Sequence, residues 1–139
     1  MTDRIPFYTA GAQLPVMNLP PIALETLQRY ADASGDQALI HLDADVARSA
    51  GFPGVIAHGL LVMAYLGRAL GGWYPNGQLR EFRCRFSAAT LLGDRLTCGG
   101  HVVAATELTP EQIVEVDFLV VDQRGETKLQ GAARIAVGA

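Results

Sequence analysis

The stretch 55-VIAHGLLVMAYLGRALGG-72 decides how this chain folds. Leu60, Leu61, Val62, Met63, Tyr65 and Leu66 follow one another so closely that the segment is apolar nearly all round. A helix of that kind is buried on most faces and does not lie along a surface. Gly71-Gly72 ends it. C-terminal to it the pattern changes from helical to alternating. In 79-LREFRCRFSA-88, Phe82, Cys84 and Phe86 fall on one side and Arg83 and Arg85 on the other. The stretches 95-RLTCGGHVVAATEL-108, 111-EQIVEVDFLVVDQRGE-126 and 128-KLQGAARIAVGA-139 are further strand candidates, rich in Val, Ile and Thr. The tract 122-DQRGE-126 carries a hairpin turn signal.

N-terminal to the apolar helix, 20-PPIALETLQRYADAS-34 is expected to be helical, with Pro21 in its first turn and Gly35 as its stop. The stretch 41-HLDADVARSAG-51 predicts a second, short helix, capped by Asp43 and ended by Gly51, and Phe52-Pro53-Gly54 a turn. A short strand is expected around Leu14–Leu19. Helices first and four antiparallel strands joined by short turns afterwards describe an α+β chain, with one long buried helix laid against a sheet. A length of 139 residues, half of them apolar, suits one domain over 1–139 with a proper core.

Composition excludes several functions. Eleven basic against 14 acidic residues leave no basic stripe of the kind that binds nucleic acid. No apolar run approaches the roughly 18 residues of a membrane span. The opening 1-MTDRIPFYTAGAQLP-15 lacks the apolar centre of a signal peptide, so a cytoplasmic protein is expected. Cys84 and Cys98 show no C-x-x-C spacing and are expected to be reduced, inert thiols, with a disulfide between them as the alternative.

Chemistry concentrates in two places. A buried helix starting near Ile56 offers unpaired N–H groups in its first turn, where 57-AHG-59 lies. Gly59 has no side chain, so an oxygen can approach its N–H closely, and the helix dipole favours negative charge there. Such a site suits a carbonyl oxygen that gains negative charge during reaction, although, taken alone, close packing is the commoner reason for a glycine there. The second place is 34-SGDQALIH-41, in which Asp36 and His41 share one connecting loop. A carboxylate and an imidazole can hold a water between them, one removing its proton while the other handles a second. Taken singly, Asp36 can be a turn cap and His41 a satisfied half-buried histidine.

Together, Gly35, Asp36, His41 and Asp43, then Gly54, Ile56, Ala57, His58, Gly59 and Leu60, resemble the signature of the MaoC-like dehydratase, or (R)-specific enoyl-CoA hydratase, family. Arg85, Phe86, Gly93 and Asp94 resemble a later motif of that family, and the likeness covers about residues 12 to 138. The resemblance implies a hot-dog domain, a long central helix wrapped by a curved antiparallel sheet. It also implies a hydro-lyase that hydrates trans-2-enoyl thioesters to (R)-3-hydroxyacyl thioesters, or runs the reverse dehydration. By position, Asp36 and His41 match the family's catalytic pair and Gly59 the amide that binds the thioester carbonyl. The acyl group would arrive as a thioester of coenzyme A or acyl carrier protein, with no further cofactor. A homodimer, or a heterodimer with another hot-dog subunit, is expected. Two positions depart from the pattern: Ala38-Leu39 stands where the family has Asn-Pro, and Gly67 where some relatives carry Ser.

Other readings stay open beside it. The chain can be a non-catalytic or partner-dependent subunit of a heteromeric dehydratase, or a hot-dog thioesterase. His58 is expected to support the loop beside the helix start. His41, His58 and Asp43 can be drawn as a metal ligand set, but their spacing does not assure convergence and the chemistry requires no metal. Trp73 and Tyr74 either line an acyl tunnel or cover the helix end. Arg80, Arg83, Arg85 and Lys128 either meet the phosphates of coenzyme A or form a solvated strand face, and the second is expected. His101 is expected on the surface.

Overall fold

The computed structural model describes residues 8–106 and 111–138. In chain order it holds β1 (Gln13–Asn18), α1 (Leu24–Ser34), a single 3₁₀ turn (Leu39–His41), α2 (Ala44–Ser49), α3 (Gly59–Trp73), β2 (Gln78–Phe86), β3 (Thr97–Ala105), β4 (Glu111–Val121) and β5 (Thr127–Gly138). The strands form one five-stranded antiparallel sheet in the order β1-β3-β4-β5-β2. The expected strand end at Glu107-Leu108 lies outside the described residues.

Helix α3 packs on β1 and β3, and its Leu61, Val62, Leu66, Ala69, Leu70 and Trp73 enter the core. They meet side chains that alternate along the strands: Val114, Val116, Phe118 and Val120 of β4, and Leu129, Ala133, Ile135 and Val137 of β5. The period of two along the strands and the broad apolar face of α3 thus find each other. Trp73 and Tyr74 cover the helix end. The Trp73 indole N–H donates to the Pro15 carbonyl at 2.8 Å and its ring lies over Gly100. Both residues are buried in the core cluster.

Several boundaries differ from expectation, each for a physical reason. Helix α1 begins at Leu24, so Pro21 lies outside it. The Ile22 N–H is taken by the Asp94 carbonyl at 2.9 Å, and the Ile22 carbonyl accepts from the Gly93 N–H at 2.8 Å. Its end follows expectation: Gly35, at φ 82°, returns its N–H to the Ala31 carbonyl. Asp43 caps α2, accepting from the N–H groups of Asp45 and Val46. Helix α3 starts at Gly59, later than Ile56. Ile56 instead bridges Leu91 and donates to the Ile40 carbonyl, while the Ala57 N–H donates to the Thr90 carbonyl at 2.7 Å.

One connection is not the expected short turn. Strand β2 pairs with β5 at one edge of the sheet, whereas β3 lies between β1 and β4. Residues 87–96 therefore cross the end of the sheet, and it is this crossing segment that Ile22, Val55 and Ala57 hydrogen-bond. The β4–β5 turn matches expectation: Asp122 and Glu126 pair across it and Gly125 takes φ 80°. Cys84 and Cys98 are free thiols. Among the described residues no helix is long and apolar enough to cross a membrane.

Candidate active site

The 3₁₀ turn that follows Gly35 brings Asp36 and His41 together. Asp36 forms a tight local turn, its carboxylate accepting from the Ala38 N–H at 3.2 Å and its own N–H donating to the Ser34 hydroxyl. His41 is buried, and its Nδ1–H donates to the Ile56 carbonyl at 2.9 Å. A carbonyl only accepts, so Nδ1 carries a proton, and it is the Nε2 lone pair that the ring can offer to a proton. That Nε2 stands 3.8 Å from the half-exposed Asp36 carboxylate. The gap is too long for a direct hydrogen bond.

His58 supports this loop, as expected, and does so by two means. Its Nε2–H donates to the Asp36 backbone carbonyl at 3.1 Å. Its ring also stacks on His41, with centroids 3.9 Å apart and planes 24° apart, and Tyr30 of α1 packs edge-on against it at 4.7 Å. His58 is 1% exposed, and its Nδ1 has no hydrogen-bond partner among the described residues.

Donor atoms of Asp36, His41 and His58 lie within 4.8 Å of one another, so the set drawn from sequence with Asp43 is corrected to one with Asp36. Asp43 is committed to capping α2. The stacked rings fit a metal poorly: imidazole lone pairs lie in the ring plane, and two nearly parallel planes do not converge on a point about 2 Å from both nitrogens.

Gly59 opens α3, and no side chain caps that helix. The first intrahelical-type bonds come from Leu61 and Val62 to the His58 carbonyl, so the N–H groups of Gly59 and Leu60 have no acceptor among the described residues. A Cβ placed on Gly59 would stand 3.1 Å from Cε1 of Phe86, so the Phe86 ring lies against the helix start. Further along, Phe82 of β2 stands opposite Gly67. Eight helical residues rise about 12 Å and four strand residues about 13 Å, so the two glycines and two phenylalanines are in register. A Cβ on Gly67, where some relatives carry Ser, would meet the Phe82 ring at 3.9 Å, an ordinary contact.

Two neighbouring cavities meet at this point. One, of about 290 Å³, is lined by Tyr30, Ser34, Asp36, His58, Leu60 and the shared Gly59 and Phe86. The other, of about 380 Å³, has His41, Phe52, Val62, the crossing segment and again Gly59 and Phe86 in its walls. Asp36 and His41 thus face adjacent chambers, with the Phe86 ring and Gly59 common to both. Sequence reasoning did not find the role of Phe86 at the site, which depends on the strand register across the helix. Lys128 is a clear correction. It does not lie on a solvated strand face but is 2% exposed and lines the larger cavity. Arg80, Arg83 and Arg85 are exposed as expected, Arg80 pairing with Glu111 at 2.8 Å, and His101 is exposed too.

Comparison with known proteins bears on the family and the fold. A mitochondrial 3-hydroxyacyl-[acyl-carrier-protein] dehydratase of Arabidopsis thaliana is 28% identical over 91 residues, which is 66% of this chain and about 55% of that relative's length. The 3-hydroxyacyl-thioester dehydratase Z of Mycobacterium tuberculosis is 26% identical over 86% of this chain and 83% of its own. Among solved structures, the unliganded R-hydratase PhaJ1 from Pseudomonas aeruginosa superposes with a TM-score of 0.82 at 27% identity, covering 94% of this chain and 87% of that one. The ChsH1-ChsH2 complex from Mycobacterium tuberculosis shares the fold at 19% identity, with a TM-score of 0.82 over 93% and 98% of the two chains. The model of the MaoC like domain matches residues 10–123. With that match, and with a sheet and central helix arranged as in hot-dog hydratases, the chain belongs to the MaoC-like dehydratase family.

Proposed function

We propose that this protein is a hydro-lyase acting on acyl thioesters, hydrating trans-2-enoyl thioesters to (R)-3-hydroxyacyl thioesters or catalysing the reverse. The observation that carries the reading is the Nε2 of His41 facing the Asp36 carboxylate at 3.8 Å beside the uncapped start of α3. Two acceptors at that separation can each take one hydrogen of a single water, which fixes its oxygen between them. The thioester carbonyl accepts from the Gly59 N–H, which draws electrons toward the carbonyl oxygen and opens C3 to attack. As the water oxygen bonds to C3, the Asp36–His41 pair takes one proton, and it returns one to C2, so the pair ends as it began. His58 holds the Asp36 carbonyl and the face of His41, keeping both on the water. It also offsets the Asn-Pro that the family carries at Ala38-Leu39, because the loop is fixed by ring stacking and by the Ile56 carbonyl. Coenzyme A or acyl carrier protein serves as the thioester carrier, and no metal takes part.

The test is loss of enoyl absorbance from a crotonyl thioester and from longer enoyl thioesters. General acid–base groups contribute about 100- to 10,000-fold, so Asp36→Asn and His41→Gln should each lose activity within that range. Full activity in both variants would remove the acid–base role. Release of free thiol without hydration would replace the reading with a thioesterase.

A second reading, a subunit that works only beside another hot-dog chain, is favoured by one observation. Phe86 is 51% exposed on the edge strand β2, which has no partner on its outer side among the described residues, and in the single chain it lines both the cavity of Asp36 and that of His41. Hydration by the purified chain alone, with one species in solution, would set this reading aside.

A further inference from the structure

We infer that Lys128 and Asp94 are positioning residues that hold the His41–Gly59 site in shape through the crossing segment, although neither belongs to the signature loop. The inference rests on the hydration reading for its kinetic arm only. Lys128 is buried on β5 where the crossing segment passes over it. Its Nζ donates to the Ala89 carbonyl at 2.9 Å and to Glu126 at 2.5 Å, and lies 3.3 Å from Asp122 and 3.7 Å from Asp94. The Lys128 carbonyl also accepts from the Ser87 N–H at 2.9 Å. One residue thus grips both ends of 87–89.

Asp94 extends the grip. Its Oδ2 accepts from the Leu91 N–H at 2.8 Å and its Oδ1 from the Gln123 side chain at 3.2 Å. The short piece between these anchors, Thr90-Leu91-Leu92, docks the helix entry: the Thr90 carbonyl takes the Ala57 N–H, Leu91 bridges Ile56, and the Leu92 N–H donates to Val55. Ile56 in turn supplies the carbonyl that fixes the His41 tautomer, and three residues later comes Gly59. The chain of contacts is therefore continuous from the buried ammonium to the Nε2 of His41 and to the Gly59 amide.

The charges make the anchor specific. Asp94 and Asp122 are 3% exposed and Arg124, 3.4 Å from Asp122, is the other cation at the cluster. A buried carboxylate is tolerated only when paired and hydrogen-bonded. Without the Lys128 ammonium, Asp94 and Asp122 are left facing each other, so Asp94 is driven off and the Leu91 N–H and Ala89 carbonyl lose their partners. A shift of about 1 Å in such a frame costs roughly 100-fold in rate.

The experiment uses the full chain with Lys128→Met, Lys128→Arg and Asp94→Asn. Long-range ¹⁵N–¹H correlation spectra report which imidazole nitrogen of His41 carries the proton, with His41→Gln identifying its signals among the three histidines. These spectra need no substrate. Wild type should show His41 protonated at Nδ1. Lys128→Met should give mixed His41 tautomers and a kcat roughly 10- to 100-fold lower with KM little changed, and Lys128→Arg should recover part of both. A folded Lys128→Met with unchanged His41 signals and unchanged kcat would overturn the inference. If Lys128→Met does not fold, Asp94→Asn decides: it keeps an acceptor for Leu91 but loses the attraction to Lys128, and wild-type His41 signals in that variant would equally overturn it. Wild type inactive toward every enoyl thioester would end the hydration reading, while the His41 spectra would still decide this one.

Discussion

The β4–β5 hairpin and the crossing segment 87–96 lie side by side and are held in opposite ways. The hairpin is closed by its own backbone, from Glu111 opposite Gly138 to Val121 opposite Thr127, and its turn is completed by Asp122, which accepts the N–H groups of Arg124 and Glu126. The crossing segment forms no strand. Its polar groups go to Ile22, Val55, Ala57, Lys128 and Asp94, most of them from elsewhere in the chain. The turn of the hairpin is closed by its own sequence, whereas the segment that walls the candidate site takes its shape only once distant parts have met. The geometry of the candidate site therefore depends on long-range closure around a buried charge, and the hairpin supplies the platform for it.

Five substitutions and one titration can break or sharpen that contrast. The largest effects belong to the site. Asp36→Asn and His41→Gln should lower kcat/KM by about 100- to 10,000-fold, with the denaturation midpoint nearly in place for the exposed Asp36 and lowered for the buried, hydrogen-bonded His41. Next comes the sheet. A Cβ on Gly131 would stand 1.9 Å from the Arg83 carbonyl oxygen, so Gly131→Ala must push β2 away from β5. Overpacking of this kind typically destabilises by roughly 1–3 kcal/mol, and a backbone obstacle puts this case at the upper end, readable by urea unfolding.

A pH series on the same unfolding curves examines the anchor between the two regions. Burial works to raise the Asp122 pKa, but the N–H groups of Glu126 and Arg124 and the Lys128 ammonium outweigh it, and the group is held below its ordinary value. A depressed carboxyl stabilises fully above its unfolded value, near 4, and loses that contribution as pH falls through the lower folded value. The urea midpoint should therefore drop on acidification below about pH 4, and Asp122→Asn should flatten the drop. For Lys128 burial acts to lower the pKa, yet Glu126 and Asp122 raise it overall. Its contribution is complete below the ordinary lysine value and is lost only as pH rises through the higher folded one. The smallest effect is local: Asp43→Ala removes the cap of α2 and should cost about 0.5–2 kcal/mol with kcat unchanged.

The same contrast explains what the sequence made legible. The apolar run of α3, the alternation in β4 and β5, the Asp122–Glu126 turn, Gly35 and the Asp43 cap all act through near neighbours, and each stands within a few residues of where the sequence suggests. Asp36 and His41 were legible because one loop carries both. What stayed hidden depends on partners far away in the chain. Pro21 fell outside α1 because Gly93 donates to the Ile22 carbonyl, and α3 began late because Leu92 donates to the Val55 carbonyl, so neither carbonyl accepts a helical N–H. Lys128 looked like one more strand cation among Arg83 and Arg85, since alternation shows which face of a strand a residue occupies but not what crosses above it. The seat of Phe86 against Gly59 needed the register of β2 on α3, which no local pattern carries.

The most direct measurement of the central claim is a double-mutant cycle on kcat/KM for enoyl thioester hydration, with Asp36→Asn, His41→Gln and both together. If the two side chains hold one water as a unit, the double variant should be hardly slower than the worse single variant. Losses that multiply, each substitution costing its full factor in the presence of the other, would contradict the account.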